Sequence, residues 1–276
     1  MTKPFVQALE KKRAGSGAAW LDVMQGASGL ILTLFMWAHM ILVSSILLGK
    51  DAMYFVARLF EGEPILGKPY PILVSFVAII ISILFVVHAV AAMRKMPSSY
   101  REYRLFSGHS SLFRHDDTRL WLIQVISGFV LMLLVGAHLY QMMVHPADIG
   151  PYASADRVWS GAWWPYYLIV LFAVEIHGGI GIYRLALKWG WFMDPYGRLN
   201  RRRMQRVKWG LTGFLLILGM LTLAAYMKIG YEHRDRAGER YQRHAVLRSE
   251  APGENVWHRD WSQAQLLDMQ SSCRLV

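Results

Sequence analysis

Hydrophobic and polar residues alternate in blocks along this chain. Long apolar runs are separated by shorter polar, basic segments. Five runs reach the ~20 residues that an α-helix needs to cross a bilayer's hydrocarbon core: Leu21–Leu48, Tyr70–Met93, Arg119–Val144, Trp164–Phe192 and Val207–Met227. The first is too long for a cleaved signal sequence, so it is expected to stay as a helix. The expected fold class is therefore all-α: a polytopic membrane protein with five transmembrane helices. Residues 1–19 form a polar N-terminal arm, 20–230 the membrane domain and 231–276 a polar tail. Residues 49–69 are expected as a polar loop in which Phe55–Phe60 lies along the membrane surface. No internal repeat and no second domain are expected.

The polar residues inside the runs carry the functional information. The fourth run contains Glu175, His177, Arg184 and Lys188. An ionisable group in hydrocarbon costs several kcal/mol unless it lines a protein interior, so such residues mark function by default. At 100° per residue, His177, Gly181, Arg184 and Lys188 share one helix face, and Glu175 points nearly the opposite way. Gly178, Gly179 and Gly181 leave room beside the histidine for something flat and bulky. The first run holds Gln25 and His39, the second His88, and the third Trp121 and His138. The fifth has neither histidine nor acid and is expected only to pack, through Gly210, Gly213 and Gly219.

Composition narrows the class. The chain has 276 residues, 54% of them hydrophobic, and a formal net charge of +11. Its basic residues sit in the segments between apolar helices, where the positive-inside rule puts them, so the charge does not indicate nucleic-acid binding. The arm (Lys3, Lys11, Lys12, Arg13) and the segments 94–118 and 194–208 are thus expected in the cytoplasm, and the tail in the periplasm. Arg234, Arg236, Arg240 and Arg243 in the tail count against that orientation. The single cysteine, Cys273, excludes an internal disulfide, a Cys-only iron–sulfur cluster and a Cys-x-x-Cys-His haem attachment.

Depth sorts the four histidines. From a rise of 1.5 Å per residue, His39 and His138 lie about 27 and 28 Å from the cytoplasmic ends of their helices, His88 about 9 Å and His177 about 18 Å. An outer pair, His39 with His138, and an inner pair, His88 with His177, follow, each drawn from two helices as a bis-histidine haem requires. One intramembrane histidine is as readily a hydrogen-bonded core residue, but four that pair by depth outweigh that. A bare metal site would want three or four ligands at one level. Four helices are therefore expected to form a haem-binding bundle for two b haems. Haem propionates need donors near the membrane ends: Gln25, Trp121 and Lys188 on the inner side, Arg157 on the outer. An interfacial Trp, a snorkelling Lys and a loop Arg are the competing readings. Two stacked haems make an electron wire, with a soluble redox partner at the basic face and a lipid-soluble quinol at the other. Glu61, in the outer loop, is the candidate base, against its reading as a surface carboxylate.

Longer stretches add to this: MWAHMILVSSILLGK around His39, FVVHAVAAMRK around His88, RHDDTRLWLIQ before the third helix, GAHLYQMM around His138 and FAVEIHGGIGIYRLALKWGWF around His177. Over roughly residues 20–230 the chain resembles the dihaem cytochrome b anchor subunits of quinol:fumarate reductases, within the succinate:quinone oxidoreductase superfamily. The resemblance implies that these histidines ligate the two haem irons in the pairs above. It implies that Gln25, Trp121 and Lys188 contact the inner propionates and that Arg157 lies by the outer haem. Glu61 would act at the menaquinol site, and Glu175 would belong to a transmembrane proton path. Gly26 stands where the family has a hydroxyl residue, and the tail after Lys228 does not align. Also implied is a heterotrimer of anaerobic respiration in the bacterial inner membrane, made of an FAD flavoprotein that reduces fumarate, an iron–sulfur subunit and this anchor. Two heterotrimers would associate. The rival readings are the same wire run as a succinate:quinone reductase, the cytochrome b of a hydrogenase or formate dehydrogenase, and a cofactor-free transporter.

Overall fold

The structure, a computed structural model, describes residues 16–96, 116–192 and 200–242. The arm before Ser16, Arg101, Arg104 and Arg114 of the second segment, Arg198 of the fourth, and the tail beyond Gln242 lie outside the described residues. All contacts below belong to the compact unit that ends at Tyr241.

The described chain is helical: α1 (Ser16–Val43), a 3-10 turn (Ser44–Leu48), α2 (Lys50–Phe60), α3 (Glu63–Leu66), α4 (Ile72–Met93), α5 (Asp116–Val144), α6 (Pro151–Val158), α7 (Trp164–Trp189), α8 (Arg201–His233) and a second 3-10 turn (Arg234–Arg236). Among the described residues, five helices are long and apolar enough to cross a membrane. Local chemistry sets their ends. Helix α7 opens with Pro165 in its first turn, where the missing N–H costs nothing, and stops at Gly190 in a left-handed conformation (φ 68°). Helix α8 is capped by Asn200, whose Oδ1 accepts the Arg203 N–H at 3.0 Å. Along α4, Phe76, Ile80, Ile83, Val86 and Val90 face outward, a surface that hydrocarbon solvates and water would penalise at about 25 cal/mol per Å².

Helix α1 packs on α4, α4 on α5, α5 on α7, and α7 back on α1, closing a four-helix ring. Helix α8 lies outside the ring against α7 and α6. A buried hydrogen bond from Thr222 Oγ1 to Ser44 Oγ, 2.8 Å, ties it to the first 3-10 turn.

Several expectations need correcting. Residues 49–69 are mostly helix, with Met53, Val56 and Ala57 of α2 buried. The segment between α5 and α7 contains α6. Helix α8 continues past Met227 to His233, so a tail boundary at 230 cuts through it. Its last turns persist because Gly230 lets the backbone of α6 come close at Ala155. Of the three α8 glycines expected to pack, Gly210 and Gly213 face nothing within 4 Å among the described residues, whereas Gly219 meets Leu171 of α7.

Candidate cofactor site in the helix bundle

One cavity of about 850 Å³ runs along the inside of the ring. All four histidines line it, together with Gly181, Arg184 and Lys188 from the predicted face of α7. His39 comes to His138 with ring centres 6.2 Å apart, and His88 to His177 at 6.3 Å. Two metal–imidazole bonds of about 2.0 Å, with a centre-to-nitrogen distance of about 1.2 Å on each side, add to roughly 6.4 Å. Imidazoles hydrogen-bonded directly, about 2.9 Å from N to N, would stand closer, at roughly 5.3 Å. Each pair is thus spaced as two imidazoles on one metal ion would be. Among the described residues no three His, Cys, Asp or Glu side chains converge as a bare metal site would need.

The pair His88–His177 is held by matched supports from α1 and α5. His88 Nδ1 donates to the Gln25 carbonyl at 3.1 Å, with Ser28 Oγ at 3.3 Å. His177 Nδ1 donates to the Gln124 carbonyl at 2.9 Å, with Ser127 Oγ at 3.3 Å. A carbonyl only accepts, so each ring carries its proton on Nδ1 and leaves the Nε2 lone pair for a metal. Each ring also lies on a glycine: a Cβ at Gly29 would sit 2.7 Å from His88 Cε1, and one at Gly128 2.9 Å from His177 Cε1. Glycines on the facing helices thus make room for the rings as well. Of the three α7 glycines expected to leave space beside the histidine, Gly178 and Gly181 line the cavity, whereas Gly179 faces Thr212 of α8.

This symmetry corrects the expectation of no repeat. Gln25, Ser28, Gly29 and His39 recur as Gln124, Ser127, Gly128 and His138, each 99 residues later. A search for Gln-x-x-Ser-Gly ten residues ahead of a histidine would have found it. The other pair lacks such anchoring, since His138 Nδ1 is buried without a partner among the described residues. Its ring lies edge-on to Tyr167 at 6.0 Å.

Charges gather at one end of the cavity. Gln25 and Trp121 line it there, and Gln25 Oε1 is buried without a partner among the described residues. The Asp22 carboxylate bridges Lys95 and Lys188, and Arg184 Nη1 donates to Gln124 Oε1 at 2.9 Å. At the other end are Arg157, whose guanidinium bonds the Asp148 carbonyl, and Tyr226. Sequence reasoning did not assign Asp22, Lys95 or Tyr226 to the site. It also expected the fifth helix only to pack, whereas Gly219, Thr222, Leu223 and Tyr226 of α8 line the cavity.

Glu61 and Glu175 stand outside the cavity wall. Glu61 follows Phe60, whose ring centre is 6.4 Å from that of His39. Gly62 (φ 77°) takes a left-handed conformation that a side chain would strain, and it turns the chain immediately after the carboxylate. Glu61 is 6% exposed and accepts from Arg58 Nη1 at 3.0 Å. Burial raises its pKa, and the Arg58 charge and hydrogen bond only partly offset this. Glu175 is fully buried on α7; among the described residues neither of its oxygens has a well-formed hydrogen bond, and Trp37 is the side-chain donor beside it.

The donor set fits haem: imidazoles paired at the spacing of two ligands on one metal, inner rings oriented through Nδ1, and cationic or polar groups at both ends for carboxylates. Residues 100–220 match the family model for the succinate dehydrogenase/fumarate reductase transmembrane subunit. The chain is 46% identical over 217 residues to the fumarate reductase cytochrome b subunit of Helicobacter pylori strain J99, covering 79% of this chain and 84% of that one. It is also 46% identical over 226 residues to the subunit of the same name from Wolinella succinogenes, covering 82% and 88%.

Proposed function

The chain belongs to the fumarate reductase cytochrome b subunits, membrane anchors of quinol:fumarate reductase, and from that premise we propose that it oxidises menaquinol near Arg157 and passes the electrons to partner subunits at the opposite membrane face. The observation that supports this most is the spacing of the two imidazole pairs drawn from four helices. Two b haems, one between His39 and His138 and one between His88 and His177, would supply one-electron carriers spanning the bilayer. An iron–sulfur subunit and a flavoprotein with FAD, which reduces fumarate, would receive the electrons at the basic cytoplasmic face. N-terminus inside, C-terminus outside and a pair of heterotrimers in the bacterial inner membrane complete the reading.

The chain's residues divide the work. Gln25, Trp121 and Lys188, with Lys95 and Arg184 beside them, hold carboxylates at the inner end, and Arg157 does so at the outer end. The Nδ1 anchors from Gln25 and Gln124 orient the inner imidazoles and raise their basicity. Glu61 takes a proton from the quinol hydroxyl. Its burial favours the protonated product, and Arg58 keeps the carboxylate ionised often enough to act as a base. Glu175 carries protons inward to offset charge moved by electrons.

Purification of the complex tests this. Two b haems per chain, a co-purifying flavoprotein, and a Glu61→Gln variant that keeps both haems while losing quinol oxidation are expected. A hydrogenase large subunit in the flavoprotein's place, or one haem per chain, would overturn the assignment. Turnover with fumarate and with succinate then separates the two directions of the same wire.

A further inference from the structure

Tyr226 of α8 has no role in the assignments above. Its side chain is 4% exposed, it lines the cavity, and its hydroxyl has no hydrogen-bond partner among the described residues. The ring is wedged among Ile46, Met53, Ala155 and Val158, and Tyr167 packs on that cluster while meeting His138 edge-on. A buried, unsatisfied hydroxyl is destabilising, and buried tyrosines usually satisfy theirs. Phenylalanine would fill the same space without that penalty. The missing partner must accept an O–H and must be reached from the cavity. It must also tolerate Arg157, which lines the same end. An anionic oxygen meets all three conditions.

On the reading of the His39–His138 pair as a haem site, we propose that Tyr226 donates its hydroxyl hydrogen bond to a carboxylate of the group held there, sharing that carboxylate with Arg157. The fifth helix then completes the outer site instead of merely packing against the bundle. A tyrosine and an arginine on separate elements make a two-point clamp, which fixes the carboxylate's position as well as neutralising its charge.

The test is Tyr226→Phe in the intact complex, which keeps the ring and its packing and removes only the hydroxyl. Resonance Raman spectra of the propionate bending bands and a redox titration of both haems are the readouts. Both haems stay bound, one propionate band shifts, and the midpoint potential of that haem alone falls. The carboxylate retains more negative charge, which favours the ferric state. Arg157→Gln shifts the same haem in the same direction, and the double variant shifts it by less than the sum of the two. Unchanged bands and potentials in Tyr226→Phe overturn the proposal, as does a changed quinol KM with both spectra intact. A parent complex without haem would instead remove the reading on which the proposal rests.

Discussion

Replacing Gly29 with alanine tests the seat of the His88 imidazole on α1. The new Cβ would stand 2.7 Å from Cε1 and 3.1 Å from Nδ1, whereas carbons pack at about 3.5–4.0 Å. The ring must therefore retreat by roughly 0.8 Å or more. It stands 6.3 Å from His177, and retreat into the gap leaves about 5.5 Å, too little for two metal–nitrogen bonds of about 2 Å. Retreat elsewhere stretches the 3.1 Å bond to the Gln25 carbonyl. Overpacking of this kind costs about 1–3 kcal/mol, while alanine in place of glycine in a helix favours folding by only about 0.5–1 kcal/mol. The clash decides the sign, and at 1.4 kcal/mol per tenfold the inner site loses roughly 5- to 150-fold in haem affinity. Haem per chain by pyridine haemochrome, with the amplitude of the reduced bands, is the assay. Gly213→Ala, at a position that faces nothing within 4 Å among the described residues, is the control and should bind two haems. Wild-type stoichiometry and unaltered bands in Gly29→Ala would refute the placement of His88 against that glycine.

Three further outcomes are expected. His88→Ala removes the inner haem and spares the outer one, checked by spectra of the purified variant; loss of the outer haem alone would break the pairing. Quinol oxidation needs ionised Glu61, so its acid limb lies above the ordinary carboxylate range because burial raises that pKa. Arg58→Gln removes the opposing positive charge and moves the limb to still higher pH; a pH–rate profile that stays put would exclude Glu61 as the base. Glu175→Gln keeps both haems and loses turnover coupled to quinol, and full quinol-coupled activity in that variant would end its role in proton transfer.

The fold class and its histidines were legible in the sequence because each rests on a one-dimensional rule. A run of about 20 apolar residues must be helical in a bilayer, where every backbone polar group needs an internal partner. A fixed rise per residue turns position into depth, and this sorted His39, His88, His138 and His177 before any contact was known. The 100° step placed His177, Gly181, Arg184 and Lys188 on one face, and all four line the cavity. The tertiary structure alone decided which face of each helix meets which neighbour. Gly29 and Gly128 look like any helix glycines until His88 and His177 are laid across them. Tyr226 looks like a packing residue until α8 closes on α6, sets it in the cavity wall and buries its hydroxyl without a partner among the described residues. Rotation and lateral pairing of helices come from side chains interlocking across the bundle, and no period along a single chain encodes them.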